Sequence, residues 1–211
     1  MKITKFGHCC LLIEEKGLRI LTDPGSFTTG QNHVKNIDII LITHEHQDHI
    51  HIDSLRQVMK NNPNTKIVTN NGVAKLLEKE RMKYIIVDDK KSLKEKGVLI
   101  EGMGKVHAEI YKTIPPVENT GYFIANRLFY PGDAFYNPQK PVEILAVPVA
   151  GPWMKISEAI DYILEIKPKK AFPVHDGIIV PDARGLFGRI AGPLLSDTQY
   201  IQLEENKETE F

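Results

Sequence analysis

"IDIILITHEHQDHIHID", residues 37–53, joins an apolar run to a segment carrying four histidines and three carboxylates. The run "IDIILI" is too continuous for a sheet with one wet face, so it predicts a strand buried on both sides. The following "THEHQDHIHID" (43–53) loads titratable side chains onto the end of that strand. His44 and His46 are two apart, so on extended chain they point to the same side. Asp48 and His49 follow where the chain must bend towards the next helix. Imidazole nitrogen and carboxylate oxygen together form a ligand set that zinc accepts and that also suits iron or manganese. A merely solvated segment would carry Lys and Glu instead.

Working outward, "CCLLIEE" and "LRILTD" flank the turn "KGL" and predict a hairpin, and "GSFTTGQNHVKN" reads as a loop. Asp53 stands as the N-cap of a helix "SLRQVMKNN" that "NP" ends. "TKIVTN", a helix "GVAKLLEKERM" and "YIIVDD" continue a strand–helix–strand rhythm. The charged run "KKSLKEK" (90–96) reads as a solvated loop. "GVLIEG", "TGYFIAN", "RLFYPGD" and "EILAVPVAG" are strands, followed by a helix "SEAIDYILEIK" capped by Ser157 and a strand "KAFPVHDG". The charged end after "TQYIQLEE" is expected to fray. Alternating strands and helices around a β-rich middle argue for a layered α/β fold.

The 211 residues suit one domain spanning 1–211, and no repeat or Gly/Ser linker divides them. Lys and Arg total 27 and Asp and Glu 27, so no net field draws the chain to nucleic acid or anionic lipid. Cys9 and Cys10 are the only cysteines and are adjacent, which excludes a disulfide framework and predicts a reducing compartment. Both read as inert core thiols. The N-terminus shows neither a signal peptide nor a membrane span, so the cytoplasm is the expected location.

Three further candidate ligands end apolar runs: His107 after "VLIEGMGKV", Asp133 at the end of "RLFYPGD" and His175 at the end of "KAFPVH". Singly they could be an edge histidine, a turn residue and a core histidine. With the first cluster they complete seven ligands for two ions.

His44, His46, Asp48, His49, His107, Asp133 and His175, in that order, resemble the ligand pattern of the metallo-β-lactamase superfamily, and "ILTDP" with Asp23 resembles its first motif. "GHCCLLIEEKGLRILTDPG", "VENTGYFIANRLFYPGDAFY" and "PVAGPWMKISEAIDYILEIKPKKAFPVHDG" are similar to the branch containing ascorbate-6-phosphate lactonase. N-acyl-phosphatidylethanolamine phospholipase D is a more distant relative there. The resemblance implies a four-layer αββα sandwich with two divalent ions at one edge, zinc being the expected metal and iron or manganese compatible. It implies that His44, His46 and His107 hold the first ion, that Asp48, His49 and His175 hold the second, and that Asp133 bridges them. Asp23 would orient a ligand from behind.

Such a pair of ions shares a hydroxide that attacks a small ester, lactone or phosphoester without redox chemistry. Asp48 and His8 are the candidate catalytic residues, His8 as a proton donor or phosphate holder. Trp153 is expected either to line the pocket or to pack. Zinc β-lactamases carry cysteine where this chain has Asp133, so antibiotic hydrolysis is disfavoured. Two other readings remain: a phosphodiesterase for nucleotide or phospholipid-type substrates, marked by basic side chains at the pocket mouth, and a non-catalytic metal-binding protein. A small-molecule substrate is expected, nucleic acid is disfavoured, and the oligomeric state is not legible.

Overall fold

Strand β2 (Cys10–Glu15) sends Leu11 and Ile13 into one interior and Cys10 and Leu12 into another. That alternation requires a cover on each face. The structure, a computed structural model, describes residues 1–211 and identifies both covers. The first sheet holds β1 (Lys2–Gly7), β2, β3 (Leu18–Thr22), β4 (Ile39–Leu41), β5 (Lys66–Thr69), β6 (Ile85–Ile86) and β14 (Glu208–Glu210). Their spatial order is β14-β1-β2-β3-β4-β5-β6. The second holds β7 (Ser92–Glu95), β8 (Val98–Met103), β9 (Gly121–Ile124), β10 (Leu128–Tyr130), β11 (Ile144–Pro148), β12 (Lys170–Val174) and β13 (Gln199–Tyr200). These lie in the order β13-β12-β11-β10-β9-β8-β7.

Between the sheets, Ile39 and Leu41 of β4 meet a core that includes Tyr122, Tyr130, Ile144 and Phe172. On the outer face of the first sheet, Ile40 and Ile42 pack with residues of α1 (Ile52–Asn61) and α2 (Asn71–Lys79). Outside the second sheet, Leu145 and Val147 pack with Ile160 and Ile163 of α3 (Ile156–Ile166) and Phe187 of α4 (Leu186–Ala191). The fold is therefore the αββα sandwich the sequence implied. No helix is long and apolar enough to cross a membrane.

Several local expectations change. "SLKE" in the charged run is the edge strand β7, whose partner β8 returns through the positive-φ pair Lys96–Gly97. The charged C-terminus does not fray: β14 pairs antiparallel with β1, matching Lys2 with Glu210 and Thr4 with Glu208. Helix α1 starts earlier than read, with His51 at its N-cap and Asp53 inside the first turn. Helix α3 is capped at Lys155, whose backbone N–H donates to Glu158 Oε2, so Ser157 lies within the first turn. Helix α4 was not anticipated, because six residues carry too little periodicity to stand out.

Candidate metal centre

Asp23, directly after β3, has positive φ (36°) and is fully buried. Its backbone N–H donates to Leu41 O, which ties the end of β3 to the end of β4. Its Oδ1 accepts the Thr43 N–H at 2.8 Å. Its Oδ2 accepts the Thr43 hydroxyl at 2.8 Å, His49 Nδ1 at 2.8 Å and the Tyr130 hydroxyl. Behind it, Gly25 presses on the next segment: a Cβ there would lie 1.8 Å from Asp48 O. Only glycine allows that approach.

These bonds fix imidazole tautomers. Because Thr43 gives its proton to Asp23, its oxygen accepts from His44 Nδ1 at 3.0 Å. His107 Nδ1 donates to Ala108 O at 2.6 Å. With Nδ1 bonded in His44, His49 and His107, Nε2 is the nitrogen each ring turns to the interior, the one whose lone pair a metal would take. His44 Nε2 lies 3.1 Å from His46 Nδ1, which brings two ring nitrogens together beside His107.

Asp133 follows Gly132, whose φ of +66° and close contact with Asn119 and Thr43 leave no room for a side chain. Asn119 Oδ1 accepts the Asp133 N–H at 3.0 Å, while its amide donates to Pro131 O. Asp133 Oδ2 then stands 2.9 Å from His175 Nε2, 3.3 Å from His107 Nε2 and 3.9 Å from His44 Nε2. Its Oδ1 is 3.2 Å from His49 Nε2. Trp153 Nε1 donates to Oδ2 at 3.1 Å, so this buried indole both packs and fixes the carboxylate.

The remaining residues gather on the other side. Asp48 Oδ2 is 3.4 Å from His175 Nε2 and 3.8 Å from His49 Nε2. His8 accepts the Gly177 N–H at Nδ1 (3.1 Å), so its neutral ring is protonated at Nε2, which donates to Asp48 Oδ2 at 3.1 Å. The seven residues thus meet at one place. Three groups have ligand atoms within 4.8 Å of one another: His44, His46 and His107; His8, Asp48, His49 and His175; and Cys9, His49 and Asp133.

The donor set fits a cation. Nε2 of His49, His107 and His175, and Oδ1 of Asp133, are buried without a hydrogen-bond partner. The three Nε2 atoms stand within ion-pair distance of the Asp133 carboxylate yet are not aligned to bond it. Buried polar atoms left unpaired are costly, and convergence on a shared positive centre would satisfy them together.

Charge balance agrees. Burial and His49 push His44 well below its ordinary pKa, and burial and His107 lower His46. Burial also opposes charge on His175, but Asp133 and Asp48 outweigh it and raise His175 to about 10. Burial opposes charge on His49 as well, and Asp133 and Asp23 hold its pKa high. Burial works against the Asp133 carboxylate, yet His49 and His175 keep it well below the usual range. His8 is lowered by burial to about 4, with Asp48 opposing, so it is neutral at pH 7.

Sequence reasoning missed several supports. Thr43, Tyr130 and Asn119 carry no chemical signature until the fold joins them to Asp23 and Asp133. Lys5 had a signal: it shares the inward face of β1 with Ile3, where a lysine needs a partner. That partner is Asp176, beside His175. Cys9 Sγ lies within 4.8 Å of donor atoms of His49 and Asp133, nearer the centre than expected, while Cys10 faces the α1–α2 layer. His33 is exposed and His51 bonds Ser54, so neither joins the cluster.

The chain belongs to the β-lactamase superfamily: the family model described as "Beta-lactamase superfamily domain" matches residues 2–175, a span that ends on the last candidate ligand. Protein Rv0786c of Mycobacterium tuberculosis is 39% identical over 97% of this chain and 98% of its own. A UPF0173 metal-dependent hydrolase of Carboxydothermus hydrogenoformans is 28% identical over 83% of this chain and 84% of its own. Among solved structures, Igni18, a metallo hydrolase from Ignicoccus hospitalis, shares 22% identity and a TM-score of 0.75, covering 100% of this chain and 98% of that one.

Proposed function

We propose that this metal-dependent hydrolase of the β-lactamase superfamily works with two divalent cations, zinc being the expected pair, on a small ester, lactone or phosphoester. One observation carries the reading: buried Nε2 atoms of His49, His107 and His175 stand 3.2, 3.3 and 2.9 Å from the Asp133 carboxylate and, like its Oδ1, have no hydrogen-bond partner. His44, His46 and His107 would hold one ion and Asp48, His49 and His175 the other, with Asp133 between them. Bound there, the ions would supply an acidified water as nucleophile and polarise the carbonyl or phosphoryl oxygen under attack.

The chain's own residues orient this chemistry. Asp23 and Thr43 hold His49 and His44 with Nε2 inward. Trp153 and Asn119 fix Asp133. His8 is a positioning residue in this account: its neutral Nε2–H aims Asp48 rather than delivering a proton. Asp48 is partly open to solvent and, kept ionised by His175 and His8 against burial, is placed to accept a hydrogen bond from the attacking water. The test is hydrolysis of a panel of esters, lactones, thioesters and phosphodiesters by zinc-loaded protein. Cleavage of at least one member, lost on chelation and restored by zinc, supports the reading, whereas a fully loaded protein inert to all of them overturns it.

A further inference from the structure

A cavity of about 100 Å³ lies against the candidate centre on the side of His46 and His107, walled by Ile110, Ile114, Pro116 and Val117. These side chains come from the loop after His107, "AEIYKTIPPV" (108–117), whose charged members Glu109 and Lys112 are exposed and do not line the cavity. The larger cavities, of about 380, 420, 430 and 480 Å³, touch none of the seven candidate ligands.

Uncovered apolar side chains continue on neighbouring loops. Ile114 is 47% exposed. Phe27 is 52% exposed with its ring 5.0 Å from that of His8. Ile178, 50% exposed, follows the Gly177 whose N–H bonds His8. Loops after Asp23 and His107 thus each bring an apolar side chain to the site, and the loop after His175 carries an exposed one, an arrangement that marks a ligand surface. Of the nearby cations, Lys5 is engaged by Asp176 and Arg184 by Glu205 and Ile179 O, while Lys112 is exposed outside the cavity lining.

Resting on the hydrolase reading of this site, we infer that the substrate is an uncharged ester, lactone or thioester whose acyl group is a short apolar chain seated in this cavity. A cavity of roughly 150 Å³ takes a benzene-sized group, so this one takes about three to four carbons. In the reaction the oxygen of water bonds to the acyl carbon and the acyl C–O or C–S bond breaks. The leaving oxygen or sulfur takes the proton the water gives up, and nothing is oxidised or reduced. A phosphodiester brings its own negative charge and finds no cationic side chain lining the cavity.

The test pairs rates with binding. Values of kcat/KM are measured for p-nitrophenyl acetate, butyrate and octanoate and for bis(p-nitrophenyl) phosphate. Saturation-transfer NMR compares acetamide, butanamide and hexanamide on the same zinc-loaded protein. Burying two more methylenes gives an expected gain of about tenfold from acetate to butyrate, with a fall at octanoate and the strongest transfer to butanamide. Ile114→Ser, at a half-exposed position, brings butyrate down to acetate. Rates flat across chain length, or a phosphodiester preferred to butyrate, overturn the inference while leaving the hydrolase reading intact. If nothing is hydrolysed but the butanamide preference and its loss in Ile114→Ser persist, the cavity assignment stands and the hydrolase reading fails.

Discussion

Lys5 Nζ lies 2.7 Å from both carboxylate oxygens of Asp176, and both side chains are buried. A third bond, to Pro173 O at 2.8 Å, completes the ammonium's contacts. The pair links β1 of one sheet to the end of β12 in the other, next to His175 with its left-handed φ of 59°. Removing one member of a buried ion pair leaves the other uncompensated, at about 3–5 kcal/mol. Lys5→Met is therefore expected to lower stability by about that amount in urea unfolding. Lys5→Met combined with Asp176→Leu recovers much of the loss, since neither charge is then stranded. A single variant as stable as the parent contradicts the account.

Gly25→Ala tests how Asp48 is placed. The added Cβ would meet Asp48 O at 1.8 Å, so the backbone at residues 48 and 49 must move. The expected result is a loss of roughly 2 kcal/mol or more in stability, with zinc content falling as Asp48 and His49 leave their positions. Unchanged zinc content would show that the contact is easily relieved.

Asp23→Asn tests the orienting shell. The carboxylate accepts from Thr43, His49 and Tyr130, and an amide nitrogen in its place cannot accept. Loss of such a partner typically weakens metal affinity about 10–100-fold. Competition with a chromophoric chelator measures it, and an affinity equal to that of the parent refutes the role.

Metal removal carries a proton signature. In the metal-free protein Asp133 and Asp48 raise His175 to about 10, and Asp133 and Asp23 hold His49 high, both against burial. Raised imidazoles are protonated below those values, and a cation must displace the protons. Chelation at pH 7.5 is therefore accompanied by net proton uptake by the protein, and zinc affinity rises with pH across the neutral range. Calorimetry in buffers of differing ionisation enthalpy reads this directly, and proton release by the protein on chelation has the wrong sign.

Much of this centre is visible in the sequence because ligands must sit where strands end. The apolar run 37–42 declares a strand buried on both faces, and His44 to His49 follow it in a pattern that a core or a wet surface has no use for. His107, Asp133 and His175 are legible for the same reason. Thr43, Asn119 and Tyr130 are not, since an ordinary polar side chain acquires its role only from three-dimensional neighbours. Strands β7 and β14 escaped because their residues are charged. They lie at sheet edges, where pairing with β8 and β1 decides structure and hydrophobic alternation is weak.

The central claim is that seven side chains from four strand ends enclose two cations. Elemental analysis of native protein, purified without chelators and without a metal-affinity step, tests it most directly. Two divalent ions per chain are expected, falling to about one in His107→Ala and in His175→Ala separately. Protein that is folded, saturated with zinc and still retains none contradicts the account outright.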